Sequence, residues 1–163
     1  MAAIRHSCVD LEIREIRRRP DESRYVWTPF EPSDQFNGDW WDQPPYMADD
    51  PLYVQVLLDG TEVARVELDE DFSGSRHVGA PTLGHQALEI QSIEVAESHR
   101  RQGIGAEVVA RLAAAYSGRR LLALSEGADD FWASLGWDRY DYSDGPLKYR
   151  PLFIQPASSS GRT

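Results

Sequence analysis

The fold is decided by Leu88-Glu89-Ile90-Gln91-Ser92-Ile93-Glu94-Val95, followed by Arg100-Arg101-Gln102-Gly103-Ile104-Gly105-Ala106. The first run alternates in side-chain type and ends in Ile-Glu-Val, which predicts a strand. Beyond the glycine turn, Ile104, Val108, Leu112 and Tyr116 recur every fourth residue. That spacing predicts one apolar face of a helix. A strand, a basic glycine turn and a helix start together make an anion cradle. Backbone N–H groups at a helix start lack intrahelical partners, and the helix dipole adds partial positive charge there. Glycine lets the backbone come close to an anion, and the two arginines add full charges.

The surrounding chain fits one folded domain over residues 1–155 with a disordered tail over 156–163. Its 163 residues suffice for a real core, and the apolar share of 41% is ordinary. No apolar run approaches the ~20 residues of a membrane span. Residues 1–8 lack the apolar stretch of a secretion signal, so a cytoplasmic protein is expected. Cys8 is the single cysteine and cannot form an internal disulfide; four scattered histidines have no metal-ligand spacing, so no metal is expected. The net charge of −10 argues against nucleic acid and mildly for a cationic partner. From Asp21 to Asp50 eight acids stand against Arg24 alone, and Asp59 to Asp71 adds six against Arg65. The Arg100-Arg101 turn is therefore a basic island in an acidic chain.

Val9 to Ile16 alternates as a first strand and Arg17-Arg18-Arg19-Pro20 ends it. Residues 21–51 hold five prolines, and also Tyr25, Trp27, Phe30, Phe36, Trp40, Trp41 and Tyr46. A disordered linker is poor in aromatics, so this segment is expected to pack, either as a cover over the sheet or as a lid that receives a cationic substrate. Leu52–Leu58 and Thr61–Leu68 flank Asp59-Gly60, a hairpin signal, because both turn positions tolerate positive φ. Residues 69–86 read as a loop, with His77 and His85 as ordinary polar residues. A short strand at Leu121–Leu124 follows the central helix, then a helix over 128–135 stopped by Gly136. Strands over 137–142 and 147–154, joined by Ser143-Asp144-Gly145-Pro146, close the chain.

The glycine turn fails two phosphate-binding patterns. It lacks the Gly-Lys step of a P-loop, and Val108 occupies the third glycine position of a dinucleotide fingerprint. What remains is Arg-x-x-Gly-x-Gly at Arg100, Gly103 and Gly105, followed downstream by Phe131-Trp132-Ala133-Ser134-Leu135-Gly136-Trp137. On these two ordered segments the sequence resembles the GNAT superfamily of acyl-CoA-dependent N-acyltransferases, over residues 88–142 above all. The resemblance implies an α/β (α+β) fold. Its central sheet is mixed, mostly antiparallel and of six to seven strands, with helices on both faces and a cofactor cleft between splayed central strands. It also implies acetyl-CoA as donor. Backbone amides from Arg101 to Ala106, with Arg100, Gln102, Gly103, Ile104 and Gly105 in the same turn, would hold the pyrophosphate. Backbone groups near Ile93 and Val95 would hold the pantetheine arm. Ser125 stands where the family often has asparagine, and Trp132 where many members have a tyrosine that protonates the leaving thiolate.

Acyl transfer to an amine requires neutral nitrogen, and an alkylammonium costs about 4–5 kcal/mol to deprotonate at pH 7. A base is therefore useful. By resemblance Glu89 is the candidate base, and Gln91 would orient water or substrate. Strict alternation puts Glu89, Gln91, Ile93 and Val95 on one face; with the register reversed, Glu94 takes the place of Glu89. Indole at Trp132 cannot donate a proton to a thiolate, so Tyr140, Tyr142, Tyr116 or water would substitute, or Trp132 would wall the acyl chain. The expected activity is N-acetylation of a cationic small molecule or of a protein or peptide amine. The alternative is an acyl-CoA-binding module of the same fold with weak or no catalysis. Acylation of charged transfer RNA is disfavoured by the acidic balance. The sequence leaves a homodimer open.

Overall fold

A computed structural model describes residues 10–45 and 50–157. Val9 of the expected first strand, Cys8, Tyr46 and Asp49 of the aromatic acidic segment, and most of the expected tail (158–163) lie outside the described residues. The described elements are β1 Leu11–Ile16, α1 Gly38–Trp41, β2 Leu52–Leu58, β3 Thr61–Asp69, β4 Ala87–Val95, α2 Ile104–Ala115, β5 Arg120–Leu124, α3 Asp129–Ser134, β6 Asp138–Tyr140 and β7 Leu152–Ile154. No helix among the described residues is long and apolar enough to cross a membrane.

The seven strands form one sheet in the order β1-β2-β3-β4-β5-β7-β6. Neighbours are antiparallel except β4 and β5, which run parallel. The β2–β3 hairpin turns at Asp59 and Gly60, with φ of 50° and 81°, as the Asp-Gly pair requires. On one face, α2 buries Ile104, Val108, Val109 and Leu112 against Val54, Val56, Val66, Leu88 and Ile90. Trp132 and Trp137 from the α3 region join the same core. On the other face, Phe30, Phe36 and Trp41 of the 21–45 segment pack on Tyr53 and Ala96. The 70–86 loop covers Ala87, Leu122, Leu152 and Ile154 on that second face. The expected sheet with helices on both faces is present, with α1 a single turn.

Two elements differ from expectation. The last strand begins at Leu152 rather than Leu147. Pro151 has no N–H to give a ladder, so residues 147–150 run as a turn whose Lys148 N–H bonds the Gly145 carbonyl. The alternation of β4 is also broken. Glu67 of β3 opposes Ser92 while Leu68 opposes Ile90, so Gln91 is an extra, bulged residue. A bulge reverses which side later residues face. Ile93 and Val95 therefore point to the α2 side with Leu88 and Ile90, whereas Glu89 and Glu94 both point to the second face.

Candidate active site

The β4–β5 ladder holds for Ala87↔Arg120, Leu88↔Leu121 and Glu89↔Leu122 and goes no further. Beyond that point β4 continues to Val95 without β5 beside it, while β5 is taken up by β7. A cleft opens there, about 390 Å³, lined by Trp40, Ile90, Gln91, Ser92, Ile93, Leu124, Glu126, Ala128 and Trp132. At its apex a smaller cavity of about 170 Å³ is lined by Glu89, Ile90, Gln91, Leu124, Tyr149 and Arg150. The bulge at Gln91 marks where the strands part and turns that side chain into both spaces.

Glu89 is only 5% exposed. Burial pushes its carboxyl up to about 7; the neighbouring Asp69 adds to the rise, Arg150 opposes it, and Glu67 adds further. Gln91 Nε2 donates to both Glu89 carboxylate oxygens at 3.0 Å, which fixes the group in orientation. Glu67, one strand away, is also raised by burial, although the Tyr53 hydroxyl donates to it at 2.8 Å. Asp69, Glu67 and Glu89 thus make an acidic row on the second face. Glu94, the alternative base, is otherwise engaged. Its Oε1 accepts from the Asn37 N–H at 2.8 Å and Trp41 Nε1 at 2.9 Å, and its Oε2 from Arg100 at 3.3 Å. It pins the 21–45 segment to the sheet.

That segment packs onto the second face of the sheet. Arg65, 1% exposed, lies between the Phe30 and Phe36 rings and donates to the Glu31 carbonyl and Glu62. Gln35 accepts the Ser98 N–H. Of the six described aromatics in the segment, Trp40 lines the cleft.

At the glycine turn, Arg101 and Gly103 have φ of 63° and 75°. Gly103 stands at the N-cap of α2 and offers no side-chain acceptor, and the first amide bonded back into the helix is that of Glu107, to the Gly103 carbonyl. The amides of Ile104, Gly105 and Ala106 therefore head the helix without an intrahelical or cap partner, which suits an anion. Gly105 sits under Phe131: a Cβ there would meet the ring at 3.3 Å. Ile104 is buried in the core, while Arg101, Gln102 and Ala106 are exposed. Arg100 folds back to Val95 and Glu94, its Nε bonding the Val95 carbonyl at 3.2 Å. Two of its donors thus go to the strand end, and its side chain stays 51% exposed. Ser125 is 2% exposed and tied to the start of α3: its hydroxyl donates to Asp129 at 2.6 Å and accepts from the Ala128 N–H. Trp132 is 4% exposed and stacked on Trp137 at 4.8 Å, an apolar wall of the cleft.

Tyr149 and Arg150 are site residues that no sequence pattern singled out, and Pro151 was the signal that freed them from a strand. His77, expected as an ordinary loop residue, is 7% exposed and its Nε2 bonds the Arg150 carbonyl at 2.8 Å. Tyr116 bonds Glu15, and Tyr140 packs with the second-face core, so neither lines the cleft.

The open parallel pair, the uncapped glycine turn and the cleft between them define an acyl-CoA-type acetyltransferase domain. The acetyltransferase (GNAT) family profile matches residues 11–137, and the chain belongs to that family, whose acyl donor is acetyl-CoA. The fold is similar to an acetyltransferase from Thermus thermophilus, at 16% identity and TM-score 0.51, covering 65% of this chain and 64% of that one. The chain thus spans somewhat less than two thirds of that relative. It is also similar to AtaT in complex with acetyl-methionyl-tRNAfMet, at 15% identity and TM-score 0.51, covering 67% and 72%. A third neighbour is the Bacillus subtilis N-acetyltransferase YlbP in complex with coenzyme A, at 16% identity and TM-score 0.48, covering 66% and 70%. No curated protein sequence matches the chain.

The residues present fit acetyl-CoA. Unpartnered amides at 104–106 suit its pyrophosphate, and the unpaired edge of β4 beyond Glu89 offers ladder groups to an amide-bearing arm.

Proposed function

We propose that this chain transfers the acetyl group of acetyl-CoA to a primary amine of a small molecule or peptide that arrives as an ammonium. One observation carries the reading: the β4–β5 ladder ends at Glu89, so the cleft opens beside a buried carboxyl whose pKa lies near 7. Such a group is part ionised at neutral pH and well matched to take a proton from an incoming ammonium. Gln91 holds it in place, and Asp69 and Glu67 make the surroundings attractive to a cation. Amides 101–106 would anchor the pyrophosphate and the free edge near Ile93 the pantetheine arm, while Trp132 walls the cleft. Acetyl-CoA supplies an activated acyl group as a thioester. A thiol of pKa ~8.5 can leave at pH 7 at a cost of only about 2 kcal/mol without a proton donor, so indole at Trp132 does not forbid the reaction.

That same indole favours a second reading, an acyl-CoA-binding module with weak or no catalysis. Thiol release from acetyl-CoA across a panel of amines, amino acids, peptides and aminoglycosides separates the two. Amine-dependent release with an N-acetylated product supports the transferase; tight acetyl-CoA binding with no release on any acceptor supports the module.

A further inference from the structure

The acidic row accounts for an ammonium, yet the cavity at the cleft apex also has a cationic wall. Arg150 is the cation among its lining residues and lies close enough to Glu89 to oppose the rise of its pKa. Its backbone is fixed, while its side chain is 41% exposed at the cavity mouth. The His77 ring, more than nine-tenths buried, holds the Arg150 carbonyl at 2.8 Å. Tyr142 and Tyr149 stand around that ring at 5.5 and 6.2 Å. The guanidinium itself is weakly engaged. It reaches the Tyr149 hydroxyl at 3.3 Å and Glu126 at 3.5 Å, and the Glu126 side chain is 85% exposed. A long contact to a solvated carboxylate is worth little. A guanidinium has five N–H donors in a planar fork, so most of its capacity is unused, and its preferred partner is a carboxylate taken with two parallel bonds.

We infer that Arg150 binds a carboxylate of the acceptor, so that the preferred acceptor carries amine and carboxylate in one small molecule, as an amino acid does. This rests on the reading of the Glu89 cavity as the acceptor site. Glu89 and Arg150 line the same 170 Å³ space, so a zwitterion meets a partner for each of its charges there. That volume is below the ~300 Å³ where drug-sized pockets begin, and it holds a compact head group. Glu126 is the internal carboxylate that the acceptor displaces.

The test compares free amino acids with their carboxamides, which keep the amine and remove the anionic charge. Thiol release would be followed for the wild type, Arg150→Gln and Arg150→Lys, with calorimetry of the same acid and amide pairs on the coenzyme A-bound protein. The expected wild-type preference for the acid is at least about tenfold in kcat/KM, and Arg150→Gln collapses the acid-to-amide ratio toward one by raising KM for the acid. Arg150→Lys restores part of that ratio, and acetyl-CoA affinity changes little in either variant. Acid binding that is lost in Arg150→Gln supports the inference even without turnover. A wild type indifferent to the carboxylate overturns it while leaving amine acetylation standing. An unchanged ratio in Arg150→Gln overturns it too, as does a large loss of acetyl-CoA affinity, which would assign Arg150 to the cofactor. Neither turnover nor binding on any acid or amide overturns the inference, while the wider amine panel decides the proposed activity.

Discussion

Replacing Glu89 by glutamine removes a charge that folding disfavours, and the consequence can be worked out from the site. Burial, then Asp69, carry the carboxyl from 4.5 to about 7. At about 1.4 kcal/mol per pH unit this makes the ionised form up to about 3 kcal/mol costly to the fold. The sign follows from the raised pKa: the protonated group is tolerated below pH 4.5, and stability is lost as pH rises through 7. Glu89→Gln is therefore expected to unfold at nearly the wild-type denaturant concentration near pH 4.5. It should become more stable than the wild type by up to about 3 kcal/mol near pH 8.5. The same substitution removes the base. A positioned general base contributes about 10²–10⁴-fold, so kcat/KM for amine acetylation should fall by that order. The limb rising through pH 7 should vanish, with acetyl-CoA affinity kept. Urea titrations and thiol-release rates across pH 4.5–9 measure both effects. Parallel stability curves for the two proteins would refute the burial argument, and an unaltered pH–rate limb would remove Glu89 as the base.

Two further substitutions probe the supports of the site. Glu94→Ala strips the acceptor from the Asn37 N–H and the Trp41 indole N–H and should cost about 1–3 kcal/mol; hydrogen exchange over 33–41 is expected to accelerate, and unchanged protection would show the segment is held otherwise. Gly105→Val places branched carbon against a ring that a single Cβ already meets at 3.3 Å. A loss of about 1–3 kcal/mol is expected, with acetyl-CoA binding weakened as Phe131 is pushed aside; wild-type melting and affinity would contradict that packing.

The order of strands and helices was legible because each signal is local. Asp59-Gly60 needs two positive φ values, and the Ile104 to Tyr116 spacing needs one apolar face. The glycine turn was legible for the same reason, since Gly103 supplies a left-handed cap. The bulge at Gln91 was not. It depends on how β3 and β4 register against each other, and nothing in the alternation of β4 announces an extra residue. That one residue decides the face of Glu94 and makes it an anchor for Asn37 and Trp41 on the side Glu89 also occupies. Ser125 and Arg100 show a related limit. Their residue types suit a ligand, and only the fold shows that Ser125 also bonds Asp129 and that Arg100 also bonds Glu94. Tyr149 and Arg150 enter the site through a turn, where side-chain direction follows from tertiary contacts such as that to His77.

Everything at the cofactor end depends on the glycine turn holding the pyrophosphate, and calorimetric titration of acetyl-CoA tests that claim most directly. Gly103 has φ of 75°, which asparagine tolerates at modest cost, so Gly103→Asn serves as the backbone control for Gly103→Glu. Gly103→Glu places a carboxylate where the anion must sit. The prediction is near wild-type affinity for Gly103→Asn and at least about a tenfold loss for Gly103→Glu, each favourable charge at a helix start being worth ~0.3–1 kcal/mol and repulsion by the new carboxylate adding to that loss. Equal affinity in the wild type and a folded Gly103→Glu variant would contradict it.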